Sequence, residues 1–116
     1  MQYMLLIYDT EGSLAALSEA ERNAFMGEYF SYTEALRGAG KFVAGDALQP
    51  TATATSVRLR GGERLVTDGP FAETKEQLGG YYLIEAESLD EALEWAAKIP
   101  SARLGTVEVR PVMVYG

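Results

Sequence analysis

The chain has 116 residues, enough for one domain that buries about two-thirds of the surface its unfolded form exposes. At 47% hydrophobic and 23% charged it has a globular composition, not a disordered one. Seventeen acidic against ten basic side chains leave a net charge of −7, which disfavours nucleic acid and anionic membrane as partners.

Residues 2–8 (QYMLLIY) are a continuous apolar run rich in β-formers, short enough for a strand buried on both faces. Ser18 and Glu21 form an S-x-x-E capping box, where hydroxyl and carboxylate satisfy reciprocal backbone donors at a helix start. Phe25, Tyr29, Tyr32 and Leu36 follow at i, i+4, i+7 and i+11, one face of a helix that the glycines at 38 and 40 stop. Residues 42–48 read as a second strand, ended by Pro50. Thr51, Thr53 and Thr55 alternate with alanine, as an extended edge segment does. Residues 55–60 and 64–67 flank Gly61-Gly62, which can supply the positive φ angles of a tight hairpin. The Gly79-Gly80 pair introduces YYLIEA, again apolar on both faces. Ser88 and Glu91 make a second capping box, and Leu89, Ala92, Leu93, Ala96 and Ile99 line a helix that Pro100 ends. In the last strand, residues 106–114, Val107, Val109 and Met113 alternate with Glu108 and Arg110.

The order is βαβ, an inserted hairpin, then βαβ. It predicts an α+β domain over residues 1–116, a ferredoxin-like split βαβ fold with strand order 4-1-3-2. The two segments apolar on both faces fall in the central slots. Two helices cover only one face of such a sheet. The other would expose alternate side chains of the central strands, either Tyr3, Leu5 and Ile7 or Met4, Leu6 and Tyr8, and an apolar patch of that kind marks an interface. Two sheets packed face to face give a dimeric α/β barrel, so a homodimer is expected.

The residue types also bound the chemistry. Without cysteine there is no disulfide, thiol nucleophile or thiolate metal site. Without histidine the commonest general base and transition-metal ligand are gone together. The acids show no metal-loop spacing, so neither metal nor cofactor is expected. No basic leader, cleavage site or run of ~20 apolar residues is present, and a cytoplasmic location is expected.

Asp68, Gly69, Pro70 and Phe71 read as a turn, with Asp accepting backbone hydrogen bonds and Phe anchoring the loop. Alternatively Asp68 points into a cleft as acid, base or polar anchor, its pKa raised by burial beside Phe71. Glu73, Lys75 and Glu76, with Thr74 and Gln77 spaced as a capping pair, suit a solvated helical turn. In the functional reading Lys75 meets an anionic ligand or pairs with Asp68. Tyr8 and Tyr81 belong to adjacent central strands, where they either pack in the core or share a cleft for a small aromatic or carbonyl ligand. Asp46 is a site candidate only if buried. The two glycine pairs lack the spacing of phosphate-binding loops.

Residues 67–82, TDGPFAETKEQLGGYY, resemble the signature of the DGPF group of YCII-related (YciI-like) proteins. The likeness extends through MQYMLLIY, TATATSVR, LDEALEWAAKIP and VEVRPVM, essentially the whole chain. It implies a small homodimeric α+β domain without a single established reaction. Some YciI-like proteins are described with a histidine–aspartate pair, and one branch eliminates chloride from a chlorinated hydroxyquinol. This chain has no histidine, so that dyad does not transfer. DGPF-type members are also similar to proteins encoded beside extracytoplasmic-function sigma factors, which implies an accessory role. Two functions from different classes are therefore expected. One is a dimeric small-ligand-binding or regulatory module. The other is a cofactor-free lyase or isomerase acting on a small aromatic or carbonyl compound, with Asp68 in proton transfer and Tyr8, Phe71, Lys75 and Tyr81 around the substrate.

Overall fold

A computed structural model describes residues 1–115. Strand β1 (Gln2–Asp9) leads through a turn-rich loop to helix α1 (Glu19–Gly38) and strand β2 (Phe42–Ala47). The hairpin β3 (Thr55–Arg60) and β4 (Glu63–Asp68) precedes β5 (Gln77–Glu85), α2 (Leu89–Ala97) and β6 (Thr106–Pro111). The four long-range strands form an antiparallel sheet in the order β2-β5-β1-β6, while β3 and β4 pair with each other. Counted without the hairpin, this is the ferredoxin-like order expected from the sequence.

Both central strands are apolar on both faces, but the two faces are treated differently. Tyr3, Leu5 and Ile7 are buried, whereas Met4, Leu6 and Tyr8 are half-buried. Register sets Leu5 beside Tyr82 and Val109, and Tyr3 beside Ile84, so these side chains share one face. There they pack with Tyr32 and Leu36 of α1, Ala92 and Ala96 of α2, and Ile99. Burying each large aliphatic chain contributes roughly 1.5–3 kcal/mol. The opposite face carries Met4, Leu6, Tyr8, Tyr81 and Leu83 and receives neither helix. The folded chain is consequently a slab only 18 Å deep along its shortest axis.

The capping box of α1 is complete: Ser18 Oγ accepts from the Glu21 N–H at 3.1 Å, and Glu21 Oε1 from the Ser18 N–H at 2.9 Å. At α2 the Glu91 N–H donates to Ser88 Oγ at 3.2 Å, but the Glu91 carboxylate turns to Lys41 Nζ, 2.9 Å away. Gly61 and Gly62 both take positive φ, +59° and +81°, and close the hairpin as expected.

Four further local expectations change. Residues 51–53 form a 3-10 turn, because the Thr53 N–H and hydroxyl both fold back to the Pro50 carbonyl. Residues 72–76 bend without becoming helical, since Gln77 is taken into β5, which starts two residues before the glycine pair. Leu89 and Leu93 are exposed, because the small residues Ala92 and Ala96 bring α2 close to the sheet. Pro111 ends β6, leaving Met113 outside the ladder and exposed.

Candidate functional site

A cavity of about 620 Å³ opens on the helix-covered face, beside the edge strand β2. Its long wall is α1, contributing Phe25, Met26, Tyr29, Thr33 and Arg37; its floor is Phe42, Gly45 and Ala47 of β2 with Gly80 and Tyr82 of β5. Gly45 is required there, because a Cβ at that position would come 2.7 Å from the Tyr82 ring. The loop after β1 closes one side and residues 48–50 another. These two are tied together by the Thr51 N–H, which donates to Glu11 Oε1 at 2.9 Å. Hydrogen bonds from Thr51 hold the Glu11 carboxyl below its usual range.

The lining is predominantly apolar, with a cluster of hydroxyls on the inner wall. The Tyr29 hydroxyl donates to Ser101 Oγ at 2.6 Å, and Thr33 Oγ1 lies 2.8 Å from the Tyr82 hydroxyl. Thr33 also donates to the Tyr29 carbonyl, one helical turn back, at 3.0 Å. Burial pushes the Tyr29 phenol up from its ordinary value, so it stays protonated at neutral pH. Behind them the Tyr32 hydroxyl is bonded to the Trp95 carbonyl at 2.8 Å. Arg37 stacks over Phe42, its guanidinium 4.7 Å from the ring centroid, and reaches Glu34. Asp9 also lines the cavity, with its Oδ1 accepting from the Thr10 N–H at 2.7 Å. Such a site can enclose a small apolar molecule and fix its polar substituents by hydrogen bonding.

Of the residues singled out from the sequence, Asp46 and Tyr81 border this cavity; Tyr8, Asp68, Phe71 and Lys75 do not line it. Register puts the Tyr8 and Tyr81 side chains together on the open face of the sheet. There the Tyr8 hydroxyl donates to Glu108 at 3.4 Å, and the Tyr81 hydroxyl to Asp46 at 2.8 Å. The Asp46 hydrogen bond, then its charge, raises the Tyr81 pKa. Asp46 is exposed. Asp68 is exposed at the end of β4, opposite Thr55. Gly69 follows at φ +101°, its N–H donating to the Ala54 carbonyl at 2.7 Å and its carbonyl accepting from Ser56. Phe71 projects outward, 80% exposed, and Lys75 is exposed.

Sequence reasoning missed Thr33, Ser101 and the loop carboxylates. Tyr29 lay on the predicted core face, and Thr33, at i+4, is one turn further along it. Ser101 follows the helix-ending Pro100 and carried no signal. Among the described residues, no three acidic side chains converge as a metal site, and no helix is long and apolar enough to cross a membrane.

Three comparisons bear on identity. A family model described as the YCII-related domain matches residues 1–115. An uncharacterised protein of Rhizobium meliloti (strain 1021) is 42% identical over 117 residues, covering 99% of this chain and 94% of the relative. Among solved structures, the chain is similar to the 5-chloro-2-hydroxyhydroquinone dehydrochlorinase of Burkholderia phenoliruptrix, seen in complex with 2,5-dihydroxybenzoquinone. That likeness has a TM-score of 0.59 and 20% identity, over 97% of this chain and 94% of that one, and speaks for the fold.

Proposed function

We propose, since this chain belongs to the YCII-related domain family, that it is a dimeric small-ligand-binding module whose ligand occupies the cavity between α1 and the β2 edge. The observation that carries this reading is the cavity itself. At about 620 Å³ it has the size of a small-molecule site, and its apolar walls carry a few convergent hydroxyls. A compact aromatic or carbonyl compound suits that lining. The dimer is supported by the open sheet face, where apolar residues of both central strands lie without a helix to cover them. Two protomers packed through those faces would form the dimeric α/β barrel.

The test is a thermal-shift screen of small phenols, lactones, keto acids and anions. A ligand at ~100 times its dissociation constant should stabilise the native protein by about 2.7 kcal/mol. Ala47→Phe, which enlarges a residue of the cavity floor, should abolish the shift while Asp68→Ala retains it. No shift from any class, with all proteins folded, would replace ligand binding by a protein-interaction role.

A second reading, a cofactor-free lyase or isomerase, draws on the dehydrochlorinase that shares this fold. In it Asp68 transfers the proton, with Tyr8, Phe71, Lys75 and Tyr81 near the substrate. Because Asp68 stands on the outer hairpin, the ligand must reach that turn, or a partner's hairpin must reach the cavity. A shift that survives Ala47→Phe and disappears in Asp68→Ala would favour this reading.

A further inference from the structure

We infer that the inner wall of the cavity selects ligands that donate hydrogen bonds, hydroxylated aromatics in particular, over ketones and ethers of the same shape. The inference rests on the reading of the cavity as a ligand site and comes from following each hydroxyl hydrogen. A hydroxyl has one hydrogen and two lone pairs. Thr33 Oγ1 lies 3.0 Å from the Tyr29 carbonyl, which can only accept, so the Thr33 hydrogen is committed there. The 2.8 Å contact between Thr33 and Tyr82 therefore runs from the Tyr82 hydroxyl to Thr33 Oγ1. The Tyr29 hydroxyl is likewise committed, to Ser101 Oγ at 2.6 Å.

The Tyr82 phenol consequently faces a ligand as an acceptor, while the Tyr29 oxygen is already met by the Ser101 backbone. Among the four hydroxyls, the Ser101 hydrogen is the one left without an acceptor among the described residues. Tyr82 and Ser101 are buried, so an unanswered polar atom here lacks the water that would satisfy it at a surface. A ligand hydroxyl answers both kinds of group, accepting from Ser101 and donating to a phenol oxygen. A ketone or ether can only accept, and it leaves the Tyr82 oxygen unpaired against its own lone pairs. Arg37, the charged donor among the lining residues, is engaged by the Phe42 ring and Glu34 and does not alter this count.

Two probes on one ring skeleton test the idea: a naphthalenediol and its dimethyl ether, titrated calorimetrically into the native protein. The ether carries extra apolar surface, so burial alone favours it. The expected result is the reverse, the diol binding at least about tenfold tighter. Thr33→Val deletes the acceptor of the Tyr82 hydrogen, which then turns to the ligand, and the ratio should fall severalfold or invert. Thr33→Ser keeps both hydrogen bonds and should keep the wild-type ratio. Equal or tighter binding of the ether to wild type would overturn the inference, as would an unchanged ratio in Thr33→Val. If neither probe binds, the inference falls, and the ligand-site reading falls with it only when the wider screen also gives no shift; binding with the wrong preference removes only the inference.

Discussion

Tyr81 and Tyr82 are adjacent in sequence, yet they belong to different surfaces. Tyr82 is 8% exposed, set edge-on to Tyr32 and Phe42 at 5.2 and 6.4 Å between centroids, with its hydroxyl on Thr33. Tyr81 points the other way and hydrogen-bonds an exposed carboxylate, Asp46. The same contrast runs along the whole sheet: Leu5 and Ile84 are fully buried under the helices, while Leu6 and Leu83 are only partly covered. Amino-acid type does not separate the two faces, because both are apolar. What separates them is a helical layer, and that layer both stabilises the protomer and leaves the cavity where α1 stops short of β2. The covered face therefore holds fold and candidate site together, and the open face is available for assembly.

Truncation should separate them most strongly. Ile84→Ala removes a fully buried side chain and should cost about 2–5 kcal/mol in denaturant unfolding. The neighbouring Leu83→Ala, measured dilute enough that protomers are apart, should cost about 1 kcal/mol or less. Comparable losses would erase the distinction between the faces. Leu6→Asp attacks the open face from the other direction. A charge at its centre should weaken a face-to-face dimer at least a hundredfold, about 2.8 kcal/mol, with far-ultraviolet circular dichroism unchanged. A mass by light scattering that is the same for wild type and variant would remove the open face as the interface.

The fold was legible where one local signal had one meaning. The S-x-x-E box at Ser18 and the glycines after Leu36 bracket α1, and Gly61-Gly62 could only be a hairpin turn. The two doubly apolar segments could only be central, and their slots followed. Legibility failed where a signal had two outcomes. Glu91 could complete a cap or take Lys41, and only the fold brings Lys41 within reach. The candidate site was less legible still, because its hydroxyls come from α1, β5 and the turn after α2, joined by contacts such as Tyr29 to Ser101 across 72 positions. No local motif records that pairing. The DGPF segment drew attention because it is locally dense in turn residues and charges. Its glycine is accounted for by the positive φ that ends β4, the Asp68 side chain is exposed, and nothing in residues 67–82 alone points to α1.

The smallest effect discriminates most finely between the faces. The Asp46 carboxylate accepts the Tyr81 phenolic hydrogen and its charge opposes ionisation, so the phenol pKa rises above its ordinary value near 10. A folded-state pKa above the unfolded one stabilises the native state below pH ~10, and the contribution disappears as pH climbs through the folded value. Asp46→Asn should therefore move one phenolate transition in the near-ultraviolet titration down towards the ordinary value, and the small stabilisation present below pH ~10, neutral pH included, should shrink with it. In a lone protomer the pair faces water, and the shift is modest. In a dimer built on the open face the same pair loses solvent, desolvation adds to the Asp46 effect, and the Tyr81 transition moves higher. Wild type titrated concentrated, and again diluted until protomers are apart, should then differ in this one transition, with the concentrated sample the more alkaline. Coincident transitions would mean that the open face stays in water, and that Tyr81 is a surface tyrosine on a face no second copy covers.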